Sequence, residues 1–196
     1  MEYNIVKKEI ILNRILSKLD KFVVDFCRNL ENYVIVSGYV SIVFGRSRAT
    51  EDIDLLVKLE SRDEFKKIWD KLKINGFECL NTENIDEAFE MLEEHAIRFG
   101  RIGNPLPNME FKLIKNKIDN YSFNNKIKLI LGKNTIFISP LEMQIAYRLM
   151  LGKHGNKKDI EDAKHLYEIF KEKLNIDELS RLIKDLDAEK EFELIK

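Results

Sequence analysis

The chain has 196 residues, 44% hydrophobic and 34% charged, which is enough for one well-packed core and a small appended unit. Its 33 basic and 34 acidic residues give a net charge of −1, which excludes an overall positive field for nucleic acid and limits any RNA contact to a local patch. Two cysteines, Cys27 and Cys79, are too few for a disulfide or zinc framework and indicate buried thiols of a reducing compartment. With no signal peptide or membrane span in the sequence, we expect a cytoplasmic protein without a membrane partner.

The N-terminal part of the chain is dominated by apolar residues that recur at helical spacing over residues 6–30. This pattern predicts one long amphipathic helix that covers the core. A β-rich run at residues 33–36 predicts a strand, and residues 38–44 predict a short helix directly after it. The small residues Ser37 and Gly38 join these two elements. Such a bend lets backbone N–H groups approach a phosphate, and the dipole of the following helix favours the negative charge.

An acidic pair interrupts the next apolar run, which predicts a strand over residues 52–59. Asp52 and Asp54 are two residues apart, so their side chains lie on the same face of that strand. Two carboxylates this close repel each other unless a cation lies between them. Hard oxygen ligands favour Mg²⁺, which typically completes its coordination with water and substrate phosphate. The alternative is an exposed strand with two solvated carboxylates.

Alternating strands and helices are predicted as far as residue 138, and helices alone after it. Ser61 caps a helix over Arg62–Ile74, and Ser139 followed by Pro140 predicts the start of another. The predicted strands are 77–80, 95–99, 108–114, 127–131 and 135–138, and the predicted helices are 84–94, 141–151, 157–171 and 177–186. We therefore expect an α+β fold with a mixed sheet flanked by helices. Residues 1–138 would form the core, including the N-terminal helix, and residues 139–196 a C-terminal helical lobe packed on it.

A third carboxylate comes from the predicted strand that holds Glu110. Its neighbours Met109 and Phe111 would face the core, which leaves Glu110 on the opposite side. A site with two metal ions needs a third acid on a neighbouring strand, and Glu110 is the best candidate. The alternative is a half-exposed strand on which Glu110 and Lys112 have no particular partner.

The motifs around the acidic pair resemble a known signature. Gly38-Tyr39, Arg48-Ala49-Thr50 and Asp52-Ile53-Asp54 are similar to the pattern of the DNA polymerase beta superfamily of nucleotidyltransferases. Within it, the match is to the small stand-alone enzymes, including the abortive-infection E toxin group. The chain departs from the pattern at the first glycine of the loop, where it has Ser37.

The C-terminal part resembles the same small nucleotidyltransferases. Their helical lobe often has Ser-Pro, then a basic helix, then K-D-x-x-D, and here these are Ser139-Pro140, Arg148 and the run from Lys158 to Asp162. The family often has lysine where Arg148 stands, and arginine keeps the charge but changes the geometry. In the family these residues contact the nucleotide or hold the lobe against the core.

The resemblance implies an Mg²⁺-dependent nucleotidyltransferase that moves NMP from an NTP to an acceptor hydroxyl. The implied catalytic and metal-binding residues are Asp52, Asp54 and Glu110. The implied nucleotide-binding residues are Ser37, Gly38, Arg48, Thr50, Arg148 and Lys158. For Arg48 a second interpretation stays open, in which it pairs with a carboxylate and holds the shape of the loop.

The acceptor is not readable from the sequence, and a tRNA 3′ end, a protein hydroxyl and a small molecule such as an aminoglycoside all stay open. An alternative function is a nucleotide-binding module, or a toxin–antitoxin component with an antitoxin partner, with little or no turnover. Two departures from the family motivate this alternative: Ser37 in the loop, and Glu110 where the family more often has aspartate.

Overall fold

The computed structural model describes residues 1–153 and 155–196, and within them the strands form one mixed sheet. The strands are β1 (Glu2–Asn4), β2 (Glu9–Leu12), β3 (Tyr33–Ile35), β4 (Asp52–Val57), β5 (Phe77–Cys79), β6 (Ile97–Arg101), β7 (Asn104–Leu113), β8 (Ile127–Leu131) and β9 (Asn134–Ile138). Their order across the sheet is β1-β2-β8-β9-β3-β4-β7-β6-β5. The expected α+β fold with a mixed sheet is confirmed.

Helices follow or separate the strands. They are α1 (Lys18–Cys27), α2 (Gly38–Val43), α3 (Arg62–Ile74), α4 (Ile85–Glu94), α5 (Lys117–Asn124), α6 (Leu141–Gly152), α7 (Lys157–Phe170), α8 (Ile176–Asp185) and α9 (Glu189–Glu193). Ser61 is the N-cap of α3, as predicted, and its side chain accepts a hydrogen bond from the backbone N–H of Glu64. The helices from α6 onward pack on one another, and α7 also contacts α2. The division of the chain at residue 138 into two units stays a prediction.

The middle of the sheet sets the positions of the acidic residues. Strand β4 lies between β3, which runs antiparallel to it, and β7, which runs parallel. Asp54 is directly opposite Glu110 in this register, and Asp52 is opposite Asn108. The acid pair of one strand and the single acid of the next are therefore neighbours across the strands, where side chains on the same face interact.

The core lies on the other face of these strands. Ile53, Leu55, Met109 and Phe111 alternate with the acids and are fully buried. Helices α1, α3 and α4 cover this face, and the aromatic rings of α1 and α3 meet those of the sheet edge-on. This hydrophobic side fixes β4 and β7 rigidly. Because side chains alternate along a strand, the acids point away from the core, toward the side of α5 and α6.

The N-terminal prediction was wrong in its first half. Within residues 6–17, which were predicted to be helical, the structure has strand β2, which forms a hairpin with β1, and α1 begins only at Lys18. Ser17 and Asp20 form a capping box that fixes this start. Residues 9–12 pair in parallel with β8. A short apolar run of this kind fits both the helical and the strand period, and the long-range pairing selects the strand.

Three smaller differences concern helix limits. No helix is predicted between the strands at residues 108–114 and 127–131, but the structure has α5 there, with Asn116 as its N-cap. Pro140, and not Ser139, occupies the N-cap of α6, because Ser139 belongs to the end of the sheet and its backbone N–H donates to Ile35. The short helix α9 was not predicted. None of the helices described is both long enough and apolar enough to span a membrane.

Candidate active site

The three predicted acids lie together on the face of β4 and β7 that points away from the core. Asp54 and Glu110 are about one-fifth exposed, whereas Asp52, nearer the strand start, is about half exposed. The structure thus brings together the predicted catalytic residues, with two carboxylates sheltered and one open to solvent. Their assignment as catalytic and metal-binding residues stays a prediction.

A lysine that was not predicted as part of the site lies between the two sheltered acids. Lys112 follows Glu110 by two positions on β7 and so shares its face. Its Nζ atom lies 2.6 Å from Asp54 Oδ1 and 2.6 Å from Glu110 Oε2. The two carboxylates therefore hold one cation between them. The interpretation of Glu110 and Lys112 as side chains without partners is wrong.

A second cation extends the cluster toward the exposed acid. Arg98 Nη2 lies 3.2 Å from Glu110 Oε1, and Arg98 Nε lies 3.8 Å from Asp52 Oδ1. Asn108 Nδ2 donates a hydrogen bond of 2.8 Å to the same oxygen of Asp52. Both partners sit on strands that neighbour the acids, and their contacts depend on a strand register that the sequence does not reveal.

Two groups of the cluster, Asp54 and Lys112, have shifted pKa values. Burial raises the pKa of Asp54, but the neighbouring side chains of Glu110 and Lys112 outweigh it and hold that pKa below its ordinary value. A hydrogen bond with the Ser37 hydroxyl acts in the same direction. Burial lowers the pKa of Lys112, but the charge of Asp54 and hydrogen bonds to both acids raise it above its ordinary value. Near neutral pH, Asp54 is an anion and Lys112 a cation.

The predicted bend lies beside Asp54. Ser37 has φ 65° and ψ −143°, a backbone conformation that glycine adopts far more readily than serine. Gln144 of α6 clamps it, since the Ser37 N–H donates to Gln144 Oε1 at 3.3 Å and Gln144 Nε2 donates to the Ser37 carbonyl at 2.7 Å. Arg148 Nη2 donates to Ser37 Oγ at 2.8 Å. The C-terminal helices thus hold the bend by both its backbone and its side chain.

The two predicted arginines form a buried ion-pair network with α7. Arg48 Nη2 lies 3.2 Å from Asp162 Oδ2, and Arg148 pairs with Asp159 and also approaches Asp162, at 3.8 Å. Asp162 is fully buried, and burial raises its pKa although the nearby arginines act in the opposite direction. As the structure stands, these arginines hold the C-terminal helices against the bend, which is the second interpretation given above for both.

The other predicted nucleotide-binding residues are Gly38, Thr50 and Lys158. Gly38 begins α2 directly beneath Arg48, and a Cβ atom there would overlap the Arg48 guanidinium, with Cζ only 2.9 Å away. Thr50 Oγ1 donates to the carbonyl of Asp52 at 2.8 Å and so fixes the start of β4. Lys158 is exposed on α7, one residue before the buried Asp159. A nucleotide contact by any of these residues stays a prediction.

A cavity of about 280 Å³ opens next to the acids and the bend. Ser37, Asp54 and Lys112 form one end of it, and the side chains from α5 and α6 that form the other walls are Ile118, Asp119, Ser122, Met143, Gln144, Tyr147 and Leu151. Burial raises the pKa of Tyr147, so its hydroxyl is neutral at physiological pH. The cavity has charged groups at one end and mixed polar and apolar side chains along its other walls, a combination that small-molecule sites use to orient a ligand.

A divalent metal ion at this site would depend on the carboxylates of the cluster. In residues 1–153 and 155–196, no three His, Cys, Asp or Glu side chains converge closely enough to hold one. The reason is local, because Lys112 fills the space between Asp54 and Glu110 and Asp52 is turned toward Asn108. Mg²⁺ needs only one or two protein carboxylates, and Asp54 with Glu110 already hold a cation between them. The carboxylate oxygens of Asp54 and Glu110 are therefore suitable ligands for a single Mg²⁺, provided that Lys112 moves away from them.

Known structures share this architecture. A crystal structure of ANT(2")-Ia in complex with adenylyl-2"-tobramycin is 13% identical, with a TM-score of 0.52, over 88% of this chain and 97% of that chain. A solution structure of the antibiotic-resistance factor ANT(2'')-Ia gives 12% identity, a TM-score of 0.53, and coverage of 87% and 91%. The fold is nucleotidyltransferase-like. An antigenic nucleotidyltransferase-like protein from Paracoccidioides brasiliensis is 16% identical, with a TM-score of 0.50, over 79% of this chain and 78% of that chain.

The likeness is one of fold. No family model matches the sequence, and no curated protein matches it either. The nucleotidyltransferase-like fold agrees with the resemblance found in the sequence, whereas the finer assignment to the abortive-infection E toxin group stays a prediction.

Proposed function

We propose that the protein is a metal-dependent nucleotidyltransferase that transfers NMP from an NTP to an acceptor hydroxyl. The observation that carries the proposal is the position of Asp54 and Glu110. They lie on adjoining strands, and Asp54 also lines one end of the cavity beside the Ser37 bend. The nucleotidyltransferase-like fold supports the same reaction class, since one neighbour is named a nucleotidyltransferase-like protein and another was solved with an adenylylated small molecule.

The reaction forms a bond between the acceptor oxygen and the α-phosphorus and breaks the bond from that phosphorus to the bridging oxygen, so that pyrophosphate leaves. The proton of the acceptor hydroxyl passes to a carboxylate of the cluster or to water. Bound Mg²⁺ would stabilise the charge that develops on the phosphate oxygens and lower the pKa of the attacking hydroxyl. Asp54 and Glu110 are the residues that would hold it.

The residues of this chain then act mainly by positioning. The cavity between the sheet and α6 would take the nucleoside. Gln144 fixes the Ser37 bend against which the phosphates would rest. Since phosphoryl transfer requires little covalent chemistry from the protein, such positioning and charge stabilisation supply most of the rate.

The acceptor is proposed to be a small polyhydroxylated molecule, with RNA and protein as the other outcomes of the test. One neighbour was solved with adenylyl-2"-tobramycin, whose acceptor part is a small molecule. The near-neutral charge of this chain also provides no broad attraction for a nucleic acid.

The test is labelling with each of the four α-³²P-labelled NTPs in the presence of Mg²⁺. Tobramycin, total RNA and the protein itself are supplied as separate acceptors. We expect one of them to become labelled, and Asp54→Asn to lower the rate by about 100-fold or more. Asp70→Asn, a matched change at an exposed aspartate of α3, should leave it unchanged. Equal labelling by both variants would refute the site assignment.

A second candidate is a nucleotide-binding module with little or no turnover, including a toxin–antitoxin component. The observation that favours it is that Lys112 and Arg98 already neutralise the acids. Titration calorimetry distinguishes the two: NTP binding that requires Mg²⁺, with no labelled product from any acceptor, would favour the binding module.

A further inference from the structure

Lys112 occupies a position that a metal ion would need. Its ammonium group touches Asp54 and Glu110 through the two carboxylate oxygens that face each other across the strands. Mg²⁺ would bind the same oxygens, at about 2.0–2.1 Å. Two cations cannot share this space, because each would lose its ligands to the other and they would repel. Lys112 and a metal ion are therefore alternatives.

The charge of the cluster favours the lysine while nucleotide is absent. Three carboxylates face two cationic side chains, Lys112 and Arg98, so the cluster is left with about one negative charge. A divalent ion that enters without displacing Lys112 would meet weak attraction. One that displaces it must break two short ion pairs, which are only partly screened because both acids are about four-fifths buried.

Lys112 also has a place to go. It lines the cavity of about 280 Å³ that the nucleotide would enter, and its four-carbon stem is flexible. In that cavity it could exchange the two carboxylates for the oxygens of a phosphate. The incoming nucleotide would therefore provide a new partner for the lysine at the same time as it provides further ligands for the metal.

We propose that Lys112 is a tethered cation that holds the metal position between Asp54 and Glu110 until a nucleoside triphosphate draws it away. Metal affinity is then low in the free protein and rises when nucleotide binds. By linkage, the metal strengthens nucleotide binding by the same factor. This inference rests on the proposed function for the identity of the ligand, but it concerns binding and is tested without turnover.

The first experiment measures Mn²⁺ binding, as a substitute for Mg²⁺, by electron paramagnetic resonance in the absence of nucleotide. Lys112→Met removes the charge and keeps most of the stem. It should bind Mn²⁺ about tenfold more tightly than the unmodified protein, within the usual range for coupled sites. The matched control is Lys115→Met, which changes the net charge equally. Lys115 is exposed, and its ammonium group donates to the Glu93 carbonyl and not to the acids.

The second experiment adds α,β-methylene-ATP to the same samples. We expect it to raise the Mn²⁺ affinity about tenfold in the unmodified protein and in Lys115→Met, and by clearly less in Lys112→Met, where no lysine must be displaced. Thermal unfolding gives an independent readout. Without metal, Lys112→Met should melt below Lys115→Met because two carboxylates face each other without a cation, and Mn²⁺ should raise its melting temperature more.

Lys112→Gln serves as a second neutral variant if Lys112→Met does not fold. Equal Mn²⁺ affinities of the position-112 variant and Lys115→Met would overturn the exchange, and so would the absence of metal binding by the position-112 variant. These outcomes are separate from failure of the proposed function, which would show as the absence of labelled acceptor whatever the metal affinities are.

Discussion

The packing of Gly38 against Arg48 allows the buried network to be broken by a single added carbon. Gly38 is buried in the first turn of α2, where alanine is readily tolerated by the backbone. The Cβ atom of Gly38→Ala would overlap the Arg48 guanidinium and force it away from Asp162. The substitution thus removes an ion pair without changing either of its members.

The magnitude follows from the geometry of the pair. Arg48 Nη2 lies 3.2 Å from Asp162 Oδ2, which at an effective dielectric constant of 20 corresponds to a gross attraction of about 5 kcal/mol. The displaced arginine regains water, and Arg46 and Arg148 stay 3.6 and 3.8 Å from Asp162. We therefore expect Gly38→Ala to lower the free energy of unfolding by about 2–3 kcal/mol, less than the 3–5 kcal/mol typical of a lone buried pair.

The assay is urea unfolding of a double-mutant cycle with Arg48→Met. Methionine lacks the atoms that the new Cβ would overlap, so adding Gly38→Ala to Arg48→Met should cost almost nothing. The two single changes should each cost about the same, with a coupling free energy of about 2 kcal/mol. Additive effects, within about 0.5 kcal/mol, would refute the reasoning.

Two further predictions concern residues near this network. Ser37→Gly should be more stable to urea than Ser37→Ala by about 1–3 kcal/mol. Both variants lose the hydrogen bond from Arg148, but only glycine relieves the strained backbone conformation at φ 65°. Equal stability of the two variants would contradict this prediction. Burial raises the pKa of Asp20, but hydrogen bonds from Arg14, Ser17 and Tyr39 outweigh it and lower the pKa below its ordinary 3.8. The ionised Asp20 therefore stabilises the fold fully above its ordinary pKa of 3.8. This stabilisation is lost as the pH falls through the lower pKa of the folded state. Asp20→Asn should cost about 2 kcal/mol at pH 7, and that difference, measured by urea unfolding, should shrink toward pH 3; a pH-independent difference would refute the assignment.

The acids could be located from the sequence because their signal is local. Alternation along a strand placed Asp52 and Asp54 on one face, and the buried neighbours of Glu110 placed it on the corresponding face of its own strand. The pairing of β4 with β7, which places Asp54 opposite Glu110, depends on the topology of the sheet. A family resemblance could suggest it, but residue spacing could not.

The partners of the acids were missed for the same reason. Lys112 could have been found, since a residue two positions after Glu110 on a strand must share its face. Arg98 and Gln144 could not, because their contacts depend on the register of β6 and on where α6 packs. Arg48 and Arg148 were singled out through the family resemblance, but whether they bind a ligand or a buried aspartate depends on α7, which lies more than a hundred residues from Arg48 along the chain.

The N-terminal hairpin has a practical consequence for handling the protein. Residues 9–12 of β2 satisfy the outer backbone groups of β8, whose Ile127, Leu129 and Leu131 are buried. A version of the chain trimmed to begin at α1 would leave an unprotected sheet edge beside an apolar row, and such edges recruit strands from other molecules. Trimming should therefore produce aggregates, and residues 1–12 are best kept intact when an affinity tag is attached.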